Sequence, residues 1–586
     1  MSHHFTELAT FRGVGGVLNT LVGPGPAPGS ERLYRSYIYL GNTLDIVAID
    51  PANGSHDVFT SPVKSEPGAW ALAVGPDDKL YVGTLPHAHL LRLDPATGRF
   101  VDLGRPSETE SYIWQLALGS DRCLYGCTYP SCKLVRYDPA SGKMTDLGRM
   151  DPREQYARSV AASDDGFVYI GIGTSQAHLA AYEIRSGEHR DILPEAQRVT
   201  GTAMVARGEE GVVYGSVGEH HFRLQGWHAI PIPAAEYRPS TAGRLRDGRW
   251  VTMEGNNLRV TDSATHESVV HPVRYPGKEI DLFRLGLGPD GMIYTSSVLP
   301  IHFIRVDPRS GELVTLGELG GGEYYSFLSN GTALLGAAYS GLAPLMIYHP
   351  QRPFHPGPDA GDNPRLVHYD GEDSGWRPQA MISGPDGKVF LGAVAGYGKL
   401  GGPLVVFDPA TRAVQSFPHV VKDQSVVSLA VVDGLIVGGT TVGGGGGSFS
   451  TATEAALFLW DPVRQQKLFE TIPVPGAREI TDLVAGEDGH VFGIAGGKEL
   501  FVFDARARRV VHQAPLPFSG VIYNAIASGP RGLLYGLASE GIFAIDPHTY
   551  AVRMEVPCRE RITAGAALDG HAFYFAAGPH VVRCDL

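Results

Sequence analysis

The sequence predicts an all-β fold on three observations: apolar runs of strand length, tight turn signals between them, and recurrence of the set at a fixed period. Residues 113–148 show the unit. Apolar or alternating runs at 114–118, 124–128, 134–137 and 144–147 are separated by a Gly-Ser-Asp turn, a Tyr-Pro-Ser loop and an Asp-Pro-Ala-Ser-Gly turn, each a stop signal for a strand. The unit is therefore a four-stranded antiparallel meander. Alone it would leave two open edges and an unburied face, so it must stack on copies of itself. About 40 residues per four strands is the period of a β-propeller blade.

Aligning on the turn after the third strand places anchors at Asp50, Asp94, Asp138, Glu183, Gly226, Asp262, Asp307, His349, Asp408, Asp461, Asp504, Asp546 and Asp585. About thirteen blades exceed the roughly 4 to 8 that one ring holds, so two propellers are expected, divided seven and six. The last blade lacks an outermost strand after Asp585, and residues 5–11, which no other blade claims, are expected to supply it. A ring holding both ends must have the other ring inserted within it. The Pro- and Gly-containing loops at 61–68 and 351–375 are the expected crossings. They give an inserted seven-bladed propeller at 66–350 and a six-bladed one at 1–65 and 376–586, with 351–375 as linker. A sequential division into 1–320 and 321–586 is the alternative.

Composition narrows the partners. A net charge of -13 over 586 residues disfavours a phosphate-binding surface, so no nucleic acid and no acidic membrane are expected as partners. No apolar run approaches the roughly 20 residues of a membrane helix. The first residues show no secretory pattern, and the five cysteines read as free thiols, so the expected location is cytoplasmic. The glycine stretch 443–447 lacks the Lys, Ser/Thr and following helix of a phosphate loop. It reads as a long, flexible hairpin loop able to cover the mouth of its ring.

In such rings the short turns fall on one face and the longer loops on the other, where function concentrates. In the ring expected at 66–350, these loops and the starts of the innermost strands carry imidazole, phenol and guanidinium groups. The candidate catalytic residues are His87, Tyr156, Arg158, His220, Arg238 and Arg284, and the candidate binding residues are Tyr112, Trp114, Tyr129, Gln176, Tyr237 and Tyr324. An aromatic beside an Arg suits stacking on a ring while a carboxylate is held bidentately. In the other ring only Trp376 with Arg377, Tyr397 with Lys399, and Tyr523 with Asn524 compare. Histidines recur five residues before the anchor, at 89, 178, 221 and 302. That position begins the third strand, about 9.6 Å outside the innermost one, too far out for four rings to share an ion, so they read as packing residues.

The GPDG turn leading into a short strand, as in GLGPDGMIYTSS, resembles the repeats of the streptogramin-B lyase propellers and gluconolactonase-like proteins. The resemblance covers most blades and rests on their turns, so it implies the fold. Propeller polysaccharide lyases use His or Tyr as acid and base, with Arg or a metal on the carboxylate. Gln176 with its nearby histidines is similar to the manganese set of the oligogalacturonate lyases. No complete motif of one family is present, and no residue role is carried over. These resemblances imply a lyase acting by β-elimination on a carboxylate-bearing sugar or small metabolite, with no certain cofactor and a divalent metal as one option. The alternatives are a non-catalytic ligand-binding or scaffolding propeller, and a cyclase or lactonase of small-molecule metabolism.

Overall fold

Turn chemistry sets the strand breaks. In the computed structural model, which describes residues 5–208, 211–240, 243–368, 375–486, 488–570 and 572–586, the side chains of Asp50, Asp94, Asp138, Asp408 and Asp546 each accept the backbone N–H two residues ahead at 2.9–3.0 Å. This Asx geometry closes each turn on itself and sends the chain back antiparallel. The result is an all-β molecule of β-propeller architecture. No helix among the described residues is long and apolar enough to cross a membrane.

The chain divides into two units, Gly13–Lys278 and Met1–Arg12 with Glu279–Leu586. The unit holding both ends, here the terminal unit, contains seven four-stranded antiparallel sheets among the described residues. Its first sheet runs Leu282–Leu287, Ile293–Ser297, His302–Val306 and Leu313–Glu318. Its seventh takes Ala564–Asp569, Ala572–Ala577, His580–Asp585 and, outermost, Phe5–Thr10. That last strand pairs from Phe5 opposite Cys584 to Thr10 opposite His580. Phe11 follows it into the core, its N–H on the Pro579 carbonyl at 2.9 Å and its ring 5.3 Å from His302. The innermost strand Leu282–Leu287 lies beside both Gly322–Ser329 and Ala564–Asp569, which closes the ring. Successive sheets mesh apolar faces: Leu335, Ala337 and Leu345 pack with Met381, Val389 and Leu391.

The inserted unit, Gly13–Lys278, holds six sheets among the described residues. Three are regular four-stranded meanders, the fourth and fifth are continuous, and the sixth shows three strands. The continuity comes from one 17-residue strand, Phe167–Glu183, which pairs with Tyr156–Ala162 and then with Val199–Arg207. The corresponding loops of other blades carry Pro86, Pro130 and Pro300. The fourth carries no proline, so nothing interrupts its ladder.

The inserted ring joins its last segment to its first sheet through a buried carboxylate. Asp45 accepts Lys278 Nζ at 2.5 Å, the Tyr275 hydroxyl at 2.5 Å and the Thr60 hydroxyl at 2.6 Å, while Tyr39 donates to Tyr275 at 2.7 Å. A buried charge held by three donors, one of them its counter-ion, is costly to break from one side.

Two expectations are corrected. The unit holding both ends has seven sheets and the inserted unit six among the described residues, and the crossings lie at 12/13 and 278/279 rather than in 61–68 and 351–375. The first of those loops is an ordinary blade-to-blade connection within the inserted unit. It is held by Glu66, which is fully buried. The second leads to Arg365–Val367, the outermost strand of the second terminal-unit sheet, so it joins strands of one blade. Residues 369–374 of that expected linker lie outside the described residues.

Each ring closure can be broken separately. Removing residues 1–12 exposes the edge of His580–Asp585, and the melting temperature should fall by about 5 °C or more, with self-association on light scattering. Asp45→Ala should cost about 3 kcal/mol or more in denaturant unfolding, because it strands Lys278 and two hydroxyls.

Candidate functional site

Among the described residues, ten of the innermost strands share one irregularity. In the terminal unit the pairing register slips between Leu282 and Leu285, Tyr324 and Ser326, Arg377 and Ala380, Val426 and Ser428, Ile480 and Asp482, and Ala564 and Ala567. In the inserted unit it slips around Leu18, Trp70, Trp114 and Arg158. Each slip is a β-bulge, which inserts extra length into the strand and re-aims a side chain that strict alternation would have sent between blades.

In the terminal unit the bulge residues build a cavity of about 470 Å³ lined by Phe283, Arg284, Tyr325, Gln379 and Val427, together with Thr441, Glu479, Tyr523, Thr563 and glycines 443, 444 and 565. Phe283 and Tyr325 meet edge to face with centroids 5.0 Å apart. The Tyr523 hydroxyl donates to Glu479. Burial raises the pKa of Tyr325, with Glu323 nearby adding to the rise. Beside it Arg377 lies 4.2 Å over the Tyr339 ring, Tyr339 and Tyr397 share a 3.0 Å hydrogen bond, and Trp376 stays 44 % exposed.

Arg284 and Asn524 tie the innermost strands of this ring together. Arg284 donates to the Tyr523 carbonyl at 2.6 Å and the Asn524 carbonyl at 3.1 Å. The Asn524 amide donates at 3.0 Å to the carbonyls of both Gln379 and Val427, so segments of four blades meet at one residue. Arg284 and Asn524 also border a smaller space of about 170 Å³ shared with Ser326 and Asp482. Asp482 Oδ1 accepts the Ala525 N–H at 2.8 Å, while its Oδ2 finds no donor among the described residues. Burial pushes this carboxyl up to about 6 and Arg284 down to about 10, with the two charges partly offsetting the effect.

The glycine stretch is a fixed rim rather than the flexible loop expected. Gly445 donates to the Lys399 carbonyl at 2.9 Å and Gly398 to the Gly446 carbonyl at 3.0 Å. A Cβ on Gly445 would lie 1.7 Å from the Gly396 oxygen, so the two backbones meet only because a side chain is missing.

In the inserted unit the structure brings together five of the expected residues. Tyr112 lies 5.1 Å from Trp114 and 5.4 Å from Tyr129, Tyr129 lies 4.4 Å from Tyr156, and Trp70 lies 5.3 Å from Trp114. The Arg158 guanidinium stacks 3.8 Å over Trp114.

The remaining candidates go elsewhere. Arg284 and Tyr324 belong to the terminal unit, and Tyr324 is buried in its apolar core with Phe303 and Leu334 while its neighbour Tyr325 reaches the cavity. Gln176 lies within the long strand rather than at a loop tip, and with His220 and Arg238 it is exposed. Tyr237 rests 4.5 Å from the His221 ring.

His87 is drawn into a structural repeat that sequence reasoning missed. Glu66, Glu110 and Glu154, all buried, accept the backbone N–H of His87 at 3.3 Å, Ser131 at 3.1 Å and Gln176 at 2.7 Å. Glu66 also holds His87 Nδ1 at 2.6 Å. Each Glu stands four residues before Trp70, Trp114 or Arg158, a signal spaced 44 residues apart and readable in the chain. The repeated histidines have separate local partners: His89 faces Asp102 at 3.1 Å, His178 lies near Asp191 at 3.2 Å, His221 packs on Tyr237 and His302 on Phe11.

No family model and no curated protein matches the chain. Among solved structures it is similar to the extracellular domain of a proposed one-component system, BT4673 of B. thetaiotaomicron (13 % identity, TM-score 0.38, covering 99 % of this chain and 82 % of that one). It is also similar to the extracellular domain of a proposed hybrid two-component system, BT3049 of the same organism (12 % identity, TM-score 0.36, covering 99 % and 83 %). Both are extracellular domains, against the cytoplasmic location expected from the sequence, and that expectation is withdrawn.

The raised Asp482 pKa generates a signed prediction. The folded chain holds this proton more tightly than the unfolded chain, so Asp482 costs no stability below about pH 4 and an increasing amount as pH rises through about 6. Asp482→Asn should therefore stabilise the protein by about 1–3 kcal/mol at pH 8, with the gain vanishing as unfolding is measured toward pH 4.

Proposed function

We propose that the protein is a ligand-binding propeller whose terminal unit takes a small, neutral, ring-shaped polar ligand of sugar size in the cavity beside Arg284. The observation that carries this reading is the cavity itself. About 470 Å³ falls in the range of small-molecule sites, and its lining combines an aromatic corner, Phe283 with Tyr325, with the hydroxyls of Thr441, Thr563 and Tyr523. Aromatic faces take the apolar face of a sugar ring, and hydroxyls with Glu479 take its O–H groups.

Charge favours a neutral ligand. The lining holds two charged side chains, Arg284 and Glu479, and Arg284 already donates to two carbonyls, while Glu479 presents acceptors that repel an anion. Elimination beside a carboxylate needs a cation on that carboxylate and a poised base. Among the described residues the lining contains no histidine, lysine or cysteine, and burial raises the pKa of its two tyrosines, Tyr325 and Tyr523, away from that of a ready base, so binding without turnover is the better-supported reading.

The test is calorimetric titration with neutral mono- and disaccharides, alongside uronate oligosaccharides followed by ultraviolet absorbance for unsaturated product. Saturable binding of a neutral sugar without product is expected, weakened about tenfold or more by Tyr325→Ala. Sustained product formation, or affinity indifferent to Tyr325, would overturn the reading.

A further inference from the structure

We propose that the inserted unit carries a second ligand site, formed by Arg158 and the rings around it, for a small carboxylate with a flat or ring-shaped body. The chemistry starts from the state of Arg158. Two other arginines of these blades are committed: Arg136 pairs with Asp121 at 3.0 Å, and Arg149 donates to the Glu154 carbonyl at 2.7 Å. Arg158 makes no hydrogen bond or ion pair among the described residues, and its contacts there are with ring faces, 3.8 Å from Trp114 and 5.8 Å from Tyr156.

A guanidinium carbon held 3.8 Å over an indole centroid spends one side on the ring and leaves its N–H donors to other partners. Those donors form a planar fork which matches the two oxygens of a carboxylate. The ring contact also restrains the fork before any ligand arrives, so less freedom is lost on binding.

The body of the ligand has a surface prepared for it. Trp70, Trp114 and Arg158 are the bulge residues of three successive innermost strands. Half-buried Tyr112 and Tyr129 continue the aromatic surface, and the buried Tyr156 backs it, at contacts of 4.4–5.4 Å. Three buried glutamates, each four residues upstream of a bulge residue, pin two loops and the middle of the long strand behind this surface. They leave Arg158 without an acidic side chain of its own, so a ligand can supply the counter-charge. An aryl carboxylate and a uronic acid share the required chemistry, a carboxylate next to a ring.

The experiment uses the full chain, with tryptophan fluorescence and calorimetry, and titrates benzoate, galacturonate and their uncharged counterparts benzyl alcohol and galactose. At least one carboxylate should bind saturably and at least about tenfold more tightly than its uncharged counterpart, and the better of the two identifies the body the rings prefer. Arg158→Met should abolish that preference. Arg158→Lys, which keeps the charge and loses the fork, should weaken it by about threefold and keep the rest. The Tyr325→Ala variant should bind the carboxylate unchanged, so failure here and failure of the terminal-unit reading are separable. No saturable carboxylate binding up to about 10 mM, or equal binding by both Arg158 variants, would overturn the proposal.

Discussion

Extra length in most of the innermost strands is the constraint on which the chemistry of this protein depends. A strand in strict alternation sends its side chains toward one neighbouring blade or the other, and both directions are filled by apolar packing. The bulge breaks that alternation at a single place. Phe283, Tyr325, Gln379 and Val427 in one ring, and Trp70, Trp114 and Arg158 in the other, therefore vary in chemistry while the ladders around them stay alike. Side-chain identity at these positions is decoupled from the packing that holds the blades together.

Buried polar groups then decide how rigid those positions are. Asn524 gathers carbonyls from two other blades and Arg284 reaches across from a third, so this wall of the terminal-unit cavity moves only if several strands move together. Asp482 holds the neighbouring segment there by accepting the Ala525 N–H. In the inserted unit, Glu66 and Glu110 hold loops, and Glu154 the middle of the long strand, by backbone N–H groups, a device that leaves most of the side chains there unconstrained.

The repeat, the turns and the strand contributed by residues 5–11 are all legible in the chain, because each rests on local periodicity or on an unfilled strand position. The unit boundaries are not. A loop such as 61–68, rich in Pro and Ser, looks the same in sequence whether it joins two blades or two rings, and only the burial of Glu66 tells them apart. The choice between Tyr324 and Tyr325 is equally hidden, since the phase of a bulged strand is set by its partner's register. Gln176 is misplaced by sequence reasoning that does not take a missing proline for a missing loop. Two further signals stand in the chain itself: a Glu four residues before the bulge position at a 44-residue spacing, and the acidic Asp482 inside a mostly apolar strand.

The pairing of Phe5–Thr10 with His580–Asp585 also imposes an order of events on synthesis. Every strand of the inserted unit has been made by Lys278, but the seventh terminal-unit sheet cannot be completed until its third strand has left the ribosome. The first strand of the chain must therefore wait for a partner 570 residues away, roughly half a minute to two minutes at ordinary elongation rates. Throughout that interval it is an unpaired edge. Its exposed Glu7 and Thr10 give it a polar character that suits the wait.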